Sequence, residues 1–297
     1  MQNFHARFDD GHAESLVDHL DMYPDYRVLR RLPRWHEIWL HPTPTGGPHT
    51  MLAVVDAETT GLDPDSDVMI ELAVVRMGLD GDGNLVELSA PLGMMEDPGG
   101  LLSPEIEELT GISASELQGQ RFDDRMFSQA IAGVDVIVSH NAAFDRGFLT
   151  RRFGDLDLPW ACTLGDMDWK RQGLEGRALG HLLASAGYFL AGAHRASADA
   201  WALACLLARI ADDGRATAAH LVERARRPTW RLFAHHAPMA MKDVLRRAGY
   251  RWDARRRLWW IDGDNERISG ESVFLRSLGP SVRPVVERID WHGRYRR

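Results

Sequence analysis

Residues 51–62 read M-L-A-V-V-D-A-E-T-T-G-L, and this stretch decides the fold. It opens with a continuous apolar run that ends in an acid, as expected for a central strand buried on both faces. Asp56 and Glu58 are two residues apart, so in an extended chain both carboxylates point to the same face. The T-T-G that follows at 59–61 turns the chain away from the sheet edge. Because sites in open α/β sheets lie at the carboxyl ends of strands, we expect a site here.

The rest of the central region alternates between strand and helix patterns. Three strand patterns in a row are followed by helix, strand, helix, strand and further helices, which predicts an α/β fold with a mixed five-stranded sheet flanked by helices. The remaining predicted strands are Glu71–Met77, Leu85–Pro91, Val134–Ser139 and Trp160–Leu164, and the predicted helices cover residues 104–110, 122–132, 142–153, 177–186 and 196–211.

Composition divides the 297 residues into three predicted parts. Residues 1–49 are a helical segment with a P-T-P-T-G-G-P linker, residues 50–215 are the α/β domain, and residues 216–297 are a small, basic, aromatic-rich α+β module. Residues 1–220 carry 17 Lys and Arg against 34 Asp and Glu, whereas residues 221–297 carry 18 against 9. An acidic body beside a basic, aromatic tail indicates a metal-using catalytic domain next to a module that faces a polyanion.

Several classes of protein are excluded by composition. With 44% hydrophobic and 26% charged residues the chain is typical of a globular protein. Its apolar runs are far shorter than the ~20 residues that a membrane helix requires, and an N-terminus with Asp9, Asp10 and Glu14 is unlike a signal peptide. Two cysteines, Cys162 and Cys205, are too few for a disulfide framework or a cysteine-built zinc site. We therefore expect a cytoplasmic protein with no membrane partner.

Two further segments place polar groups near the same sheet edge. The strand at 134–139 is followed by H-N-A-A-F-D, so Asp145 falls in the first turn of a helix, where the helix dipole favours a carboxylate. His194 and Asp199 would lie about 140° apart on one helix. They converge only if His194 lies on a loop and Asp199 in the first turns of the helix behind it. A histidine in that place is a candidate general base, and crowded carboxylates suit Mg²⁺ or Mn²⁺.

Three motifs resemble, in the right order, those of the DEDDh (DnaQ-like) 3'–5' exonucleases, a family that includes the proofreading epsilon subunit of bacterial DNA polymerase III. They are V-V-D-A-E-T-T-G-L at 54–62, V-S-H-N-A-A-F-D-R-G-F at 138–148 and H-R-A-S-A-D-A at 194–200. The resemblance covers about residues 50–212 and implies an RNase H-like fold. One departure is Ala57, where the epsilon subunit has threonine; the side chain there should face away from the metals.

The resemblance also implies a site and an activity. Asp56, Glu58, Asp145 and Asp199 would hold two Mg²⁺ or Mn²⁺ ions, with His194 as the general base. The implied reaction is two-metal hydrolysis of nucleic acid, DNA favoured, from a free single-stranded 3' end to nucleoside 5'-monophosphates. Two alternatives stay open: an exonuclease acting on RNA or oligoribonucleotides, and a catalytically silent nucleic-acid-binding protein. The residues near the terminal nucleotide would be Thr59, Thr60, Gly61, Leu62, Asn141 and Phe144.

The tail adds expectations about partners. The epsilon subunit carries a glutamine-containing clamp-binding peptide after its nuclease domain, and no glutamine follows Gln172 here, so that peptide is not found. Contact with a DNA polymerase through another surface stays open. Lys242–Ala248 predicts a helix with two exposed arginines, and alternation in the hairpin that follows favours Arg251 and Trp259 as its exposed pair. Arginines beside an aromatic ring suit single-stranded nucleic acid. The candidate accessory contacts are therefore Arg246, Arg247, Arg251 and Trp259.

Overall fold

The structure, a computed structural model, describes residues 11–38 and 47–296. It divides into two compact units. The first contains the described residues up to Arg224 together with those from Tyr295 onward, and the second is Ala225–Arg294. The division thus falls later than the predicted one after residue 215, because a helix starting at Thr217 buries its apolar side chains in the first unit. Most of the predicted linker lies outside the described residues, as do residues 1–10. None of the described helices is long and apolar enough to cross a membrane.

The first unit is built around a mixed sheet with helices on both faces. Short 3-10 turns occupy Trp35–Glu37 and Lys170–Gln172. In chain order its elements are α1 (Gly11–Leu20), β1 (Arg30–Arg31), β2 (Thr50–Thr59), β3 (Met69–Leu79), β4 (Leu85–Leu88), β5 (Leu92–Met95), α2 (Pro104–Thr110), α3 (Ala114–Leu117), α4 (Asp124–Ile131), β6 (Val136–Ser139), α5 (Ala142–Phe153), β7 (Trp160–Cys162), α6 (Leu179–Ser185), β8 (Tyr188–Phe189), α7 (Ala196–Ala208) and α8 (Thr217–Arg226).

The predicted mixed α/β sheet is confirmed, but it contains six strands rather than five. The order is β4-β3-β2-β6-β7, and β5 also pairs with β3; β2 runs antiparallel to β3 and parallel to β6. The predicted third strand, Leu85–Pro91, ends at Leu88 and resumes as β5, so β4 pairs with the end of the long strand β3 and β5 with its beginning. Pro91 marks the break because it has no N–H to donate to a ladder.

Strand β2 lies at the centre of the sheet and presents different residues to its two faces. Ala53, Val55 and Ala57 pack with buried side chains of α4 and α5 such as Phe127 and Phe148. The other face is covered by α7, whose residues from Ala200 to Ala208 are all buried. Because side chains alternate along a strand, Asp56 and Glu58 lie on the face that α7 covers.

The N-terminal segment was predicted to be helical and is so only over Gly11–Leu20 among its described residues. The basic stretch after it is extended: β1 pairs in parallel with β8, and the N–H of Arg30 donates to the carbonyl of Gly187. The chain then reaches Pro33, whose carbonyl accepts a hydrogen bond of 2.7 Å from the indole of Trp201. Backbone pairing with a distant strand therefore outweighs the helical pattern here.

The second unit is a four-stranded antiparallel sheet with two helices. Its elements are β9 (Thr229–His235), α9 (Lys242–Arg247), β10 (Arg251–Asp253), β11 (Leu258–Gly263), α10 (Asn265–Ser277) and β12 (Arg283–Ile289), and a 3-10 turn covers Met239–Met241. The strand order is β10-β11-β9-β12. Side chains of both helices pack on one face of the sheet, where Leu232 and Ile261 form one apolar core with Leu245 and Leu275.

The predicted exposure of Trp259 is wrong, because its side chain belongs to that core and is only 7% exposed. Strand β11 reads L-W-W-I, so either parity of alternation places one tryptophan on each face, and the hairpin alone does not decide between them. Pairing with β9 decides it: Trp259 lies opposite Ala234, whose side chain also faces the helices. Arg251, Arg246 and Arg247 are exposed, but the first lies on β10 and the other two on α9.

Candidate active site

The first two acids are carried by the end of the central strand. Asp56 and Glu58 lie within β2 and are half-buried, while Ala57 between them faces the opposite core. Burial, followed by the neighbouring carboxylates of Asp199 and Glu71, raises the pKa of Glu58 to about 7. Glu58 is therefore readily protonated when no cation lies nearby.

Asp145 enters the same region from the helix that follows the neighbouring strand β6. It lies in the first turn of α5 and is 2% exposed. Burial raises its pKa to about 7, although a backbone hydrogen bond from Ala57 acts in the opposite direction. Since β2 and β6 run parallel, their carboxyl ends meet at one edge, and this brings the two elements' acids together.

His194 and Asp199 are held together by a turn at the start of α7. The histidine lies two residues before the helix in the left-handed region, with φ of 63°, and it is exposed. Its backbone N–H donates a hydrogen bond of 2.8 Å to Oδ2 of Asp199. This uncommon backbone conformation for a non-glycine residue turns the histidine back over the helix start.

The side chains converge into one acidic group. Candidate ligand atoms of Glu58, His194 and Asp199 all lie within 4.8 Å of one another. Burial, and then the carboxylates of Asp145, Asp199, Glu58 and Glu71, raise the pKa of Asp56 well above its usual range. The structure therefore brings together all five residues that the motifs single out, and the acids among them repel one another.

Sequence reasoning missed Glu71 and Arg195, which support this group. Glu71 is 3% exposed and lies directly opposite Glu58 in the β2–β3 ladder. Its carboxylate accepts hydrogen bonds from Nε of Arg195 at 3.2 Å and from the N–H of Ala196 at 2.9 Å. It thereby holds the first residues of α7 beside His194. An acid inside the apolar run of β3 was the signal that could have revealed it.

The residues expected near a terminal nucleotide are neighbours of the candidate acids along the chain, and their side chains differ in exposure. Leu62 is 80% exposed, whereas Thr59 is buried and its hydroxyl donates to the carbonyl of Gly61 at 2.5 Å. Thr60 accepts a hydrogen bond from the N–H of Val68. A side chain at Gly61 would collide with Asp67, since a Cβ there lies 2.5 Å from its carboxyl group. A larger residue at position 61 would therefore force the Asp67 carboxyl group to move.

The other two of these residues begin α5. Asn141 is exposed and takes a left-handed conformation with φ of 87°, although its side chain makes no capping hydrogen bond. Phe144 is half-buried and its ring lies 4.9 Å from that of Phe148, measured between centroids. One face of Phe144 is thus used in packing, and both residues lie next to Asp145 in the chain.

The chemistry of the cluster fits a divalent metal. Its oxygen donors are the ligands that Mg²⁺ and Mn²⁺ prefer. The raised pKa values of Glu58 and Asp145 arise because burial and repulsion disfavour their charged forms, and a bound cation would relieve both. The nearby guanidinium of Arg195 is already paired with Glu71. The side chains that would hold the metal are Asp56, Glu58, Asp145 and Asp199.

These pKa shifts predict how stability depends on pH without metal. A carboxyl group whose pKa is raised on folding binds its proton more tightly in the folded chain. The stabilisation of the folded state that results is fully present below about pH 4, and for Glu58 and Asp145 it is lost as the pH rises through about 7. We expect the free energy of unfolding in EDTA to fall between pH 5 and 8 more steeply than in Glu58→Gln, as measured by urea denaturation. An equal or steeper fall in the variant would contradict this.

A second prediction concerns Glu71 as a positioning residue. Glu71→Gln removes the ion pair with Arg195 and leaves one amide oxygen to accept from the N–H of Ala196, with an NH₂ group against the guanidinium of Arg195, so the start of α7 should shift. Because small misplacements of a reacting group cost up to 10²-fold, we expect kcat to fall about 10- to 100-fold with little change in KM. Glu71→Asp should restore part of kcat, and the exposed Glu108→Gln is the matched control. A change in KM alone would show that Glu71 does not position the reacting groups.

Comparison with known proteins agrees with this geometry. The RNase_T exonuclease family matches residues 53–207. The chain is 34% identical over 167 residues to the PolC-type DNA polymerase III of Halalkalibacterium halodurans, which covers 54% of this chain but 11% of the polymerase. It is 28% identical over 153 residues to ribonuclease T of Shewanella sp. (strain ANA-3), covering 47% of this chain and 68% of that protein.

Among solved structures, the E. coli exonuclease I–single-stranded DNA complex is similar at 16% identity and a TM-score of 0.47, covering 82% of this chain and 64% of that one. The family match spans β2 to α7 and therefore all five candidate residues. It confirms the resemblance stated from the motifs. The chain belongs to the RNase_T exonuclease family of DEDD-type 3'–5' exonuclease hydrolases.

Proposed function

We propose that this protein is a metal-dependent exonuclease that removes nucleotides from the free 3' end of single-stranded nucleic acid, DNA in preference to RNA, and releases nucleoside 5'-monophosphates. The proposal rests on the convergence of Glu58, His194 and Asp199 within 4.8 Å, beside the half-buried Asp56 and the buried Asp145. This arrangement joins a candidate base to oxygen donors at one sheet edge.

The candidate residues have different roles in the proposed reaction. Asp56, Glu58, Asp145 and Asp199 would hold two Mg²⁺ or Mn²⁺ ions, which would supply Lewis-acid chemistry at the phosphate and at the attacking water. His194 is exposed and accepts a proton from the attacking water. The backbone hydrogen bond to Asp199 fixes where its imidazole can reach. Leu62 and Phe144 border the place where the last base lies.

A second candidate function differs in substrate only. The similarity to ribonuclease T supports an enzyme acting on RNA or short oligoribonucleotides, and the similarity to part of a PolC-type polymerase supports DNA. The two are separated by matched DNA and RNA oligomers of one sequence, incubated with the full chain and Mg²⁺. We expect DNA to release mononucleotides faster. Faster release from RNA would assign the second function, and no release from either would indicate a catalytically silent binding protein.

The setting of this activity is also a proposal. We infer a stand-alone cytoplasmic enzyme of repair or turnover. A direct contact with a DNA polymerase is the competing arrangement, because the PolC-type relative carries its matching region within a polymerase chain. Co-purification of the full chain with a polymerase catalytic subunit would favour direct contact with a polymerase. Migration of the chain as a separate protein would favour a stand-alone enzyme.

A further inference from the structure

The second unit has a sheet face that its own helices leave open. Within residues 225–294, all of which the structure describes, both helices pack on the face that carries Leu232 and Trp259. Strand alternation and the pairing register place another set of side chains on the opposite face. That set, here called the open face, consists of Arg231, Phe233, His235, Arg251, Trp260, Asp262, Arg283, Val285 and Glu287.

An aromatic ring on the open face is held in a fixed position by arginine. The guanidinium of Arg231 lies 3.7 Å from the ring centroid of Trp260, and the same guanidinium makes two hydrogen bonds of 2.8 Å to Asp262. The charge of Arg231 is thus used within the protein. Arg251, directly opposite Trp260 in the ladder, lies 5.5 Å from the same centroid and is exposed. Its side chain is accessible to solvent, and Trp260 itself is half-buried.

The charges around this ring are mainly positive. Phe233 on this face is only 2% exposed, and the guanidinium of Arg256 lies 4.9 Å from its ring centroid. Arg256 also pairs with Glu287, yet half of its side chain is exposed. Arg283 is exposed on the edge strand β12, and the turn between β10 and β11 adds exposed Arg255 and Arg257. The whole unit carries 15 Lys and Arg against 8 Asp and Glu. An anionic partner is therefore favoured.

We propose that the open face binds a single strand of nucleic acid, with Arg251 and Arg283 pairing with phosphates and Trp260 stacking with a base. Single strands expose the faces of their bases, and stacking on aromatic rings combined with arginine contacts is how such strands are bound without sequence preference. A duplex hides those faces and offers only its charge. That the bound strand is also the substrate of the active site rests on the proposed function.

The test uses the full chain in EDTA, so that hydrolysis does not interfere. Binding of a labelled 20-nucleotide single strand is followed by anisotropy as a function of salt. The double variant Arg251→Glu with Arg283→Glu removes two proposed phosphate contacts. The slope of the logarithm of the binding constant against the logarithm of salt concentration should therefore become shallower by about 1.4, and binding should weaken about 25-fold at 0.1 M salt. The matched control reverses two exposed cationic residues on the helices, Lys242→Glu with Arg276→Glu, and should change affinity less than about threefold.

A third variant tests stacking separately from charge. Trp260→Leu should weaken single-strand binding about 5- to 100-fold and leave the salt slope unchanged, provided that circular dichroism shows a folded chain. Equal losses in both double variants, wild-type affinity in the open-face variant, or an equal loss for a blunt duplex would overturn the inference. Hydrolysis of a dinucleotide with Mg²⁺ should persist in every variant. If wild type fails to hydrolyse it, the proposed function fails while the binding result still stands.

Discussion

Asp56→Asn should reduce hydrolysis by about 10³-fold or more, because it removes a carboxylate from the centre of the proposed metal site. The same change should raise the melting temperature of the metal-free protein at pH 8. Burial and four neighbouring carboxylates raise the pKa of Asp56, so its charge is unfavourable in the folded state and the neutral amide relieves that repulsion. Loss of activity together with a gain in metal-free stability is a combination that a damaged fold cannot produce.

The control for this experiment is Asp212→Asn, which makes the same charge change at an exposed residue outside the cluster. Activity and melting temperature are measured for both variants with and without Mg²⁺. Stabilisation by Mg²⁺ should be large in wild type and small in Asp56→Asn, since ligand binding stabilises only a chain that retains its site. Wild-type activity in Asp56→Asn at saturating Mg²⁺ would remove Asp56 from the mechanism.

His194→Ala should lower kcat by roughly 10²–10⁴-fold, the usual contribution of a positioned general base. Metal affinity should change little, because oxygen ligands suit Mg²⁺ better than imidazole does. The exposed His181→Ala serves as the control.

The distances also allow His194 to be a metal ligand instead of a general base, and the His194→Ala variant distinguishes these two roles. A ring nitrogen within 4.8 Å of oxygens of Glu58 and Asp199 is close enough to share a metal with them. Titration of Mn²⁺ by calorimetry therefore accompanies the kinetics. A parallel loss of kcat and Mn²⁺ affinity would make the histidine a ligand. Unchanged Mn²⁺ affinity with a large loss of kcat is the result that we expect.

Local sequence signals predicted much of the first unit. The apolar run before Asp56 indicated a buried central strand, and Ser103 with Pro104 and Gly111 marked the start and end of α2: the serine side chain accepts from the N–H of Ile106 and the glycine is left-handed. These features depend on neighbours in the chain. The five motif residues could be found for the same reason, because each lies near the end of a strand or the start of a helix.

Features that depend on distant pairing were not predictable in this way. Glu71 acquires its role only when β3 brings it opposite Glu58 and beside Ala196, which follows it by more than a hundred residues. The face that Trp259 occupies was set by β9, whose strand character was itself not recognised. The misassigned tryptophan shows that alternation gives two faces without saying which one is covered.

The most direct test of the central claim is the order in which labelled nucleotides leave a single-stranded DNA oligomer. The oligomer carries one label at its 3'-terminal nucleotide and another at its 5' end, and the products in Mg²⁺ are separated by chromatography. We expect the 3' label to appear first, as a nucleoside 5'-monophosphate, and EDTA to abolish its release. Release of the 5' label first, internal cleavage, or equal release in EDTA would contradict it.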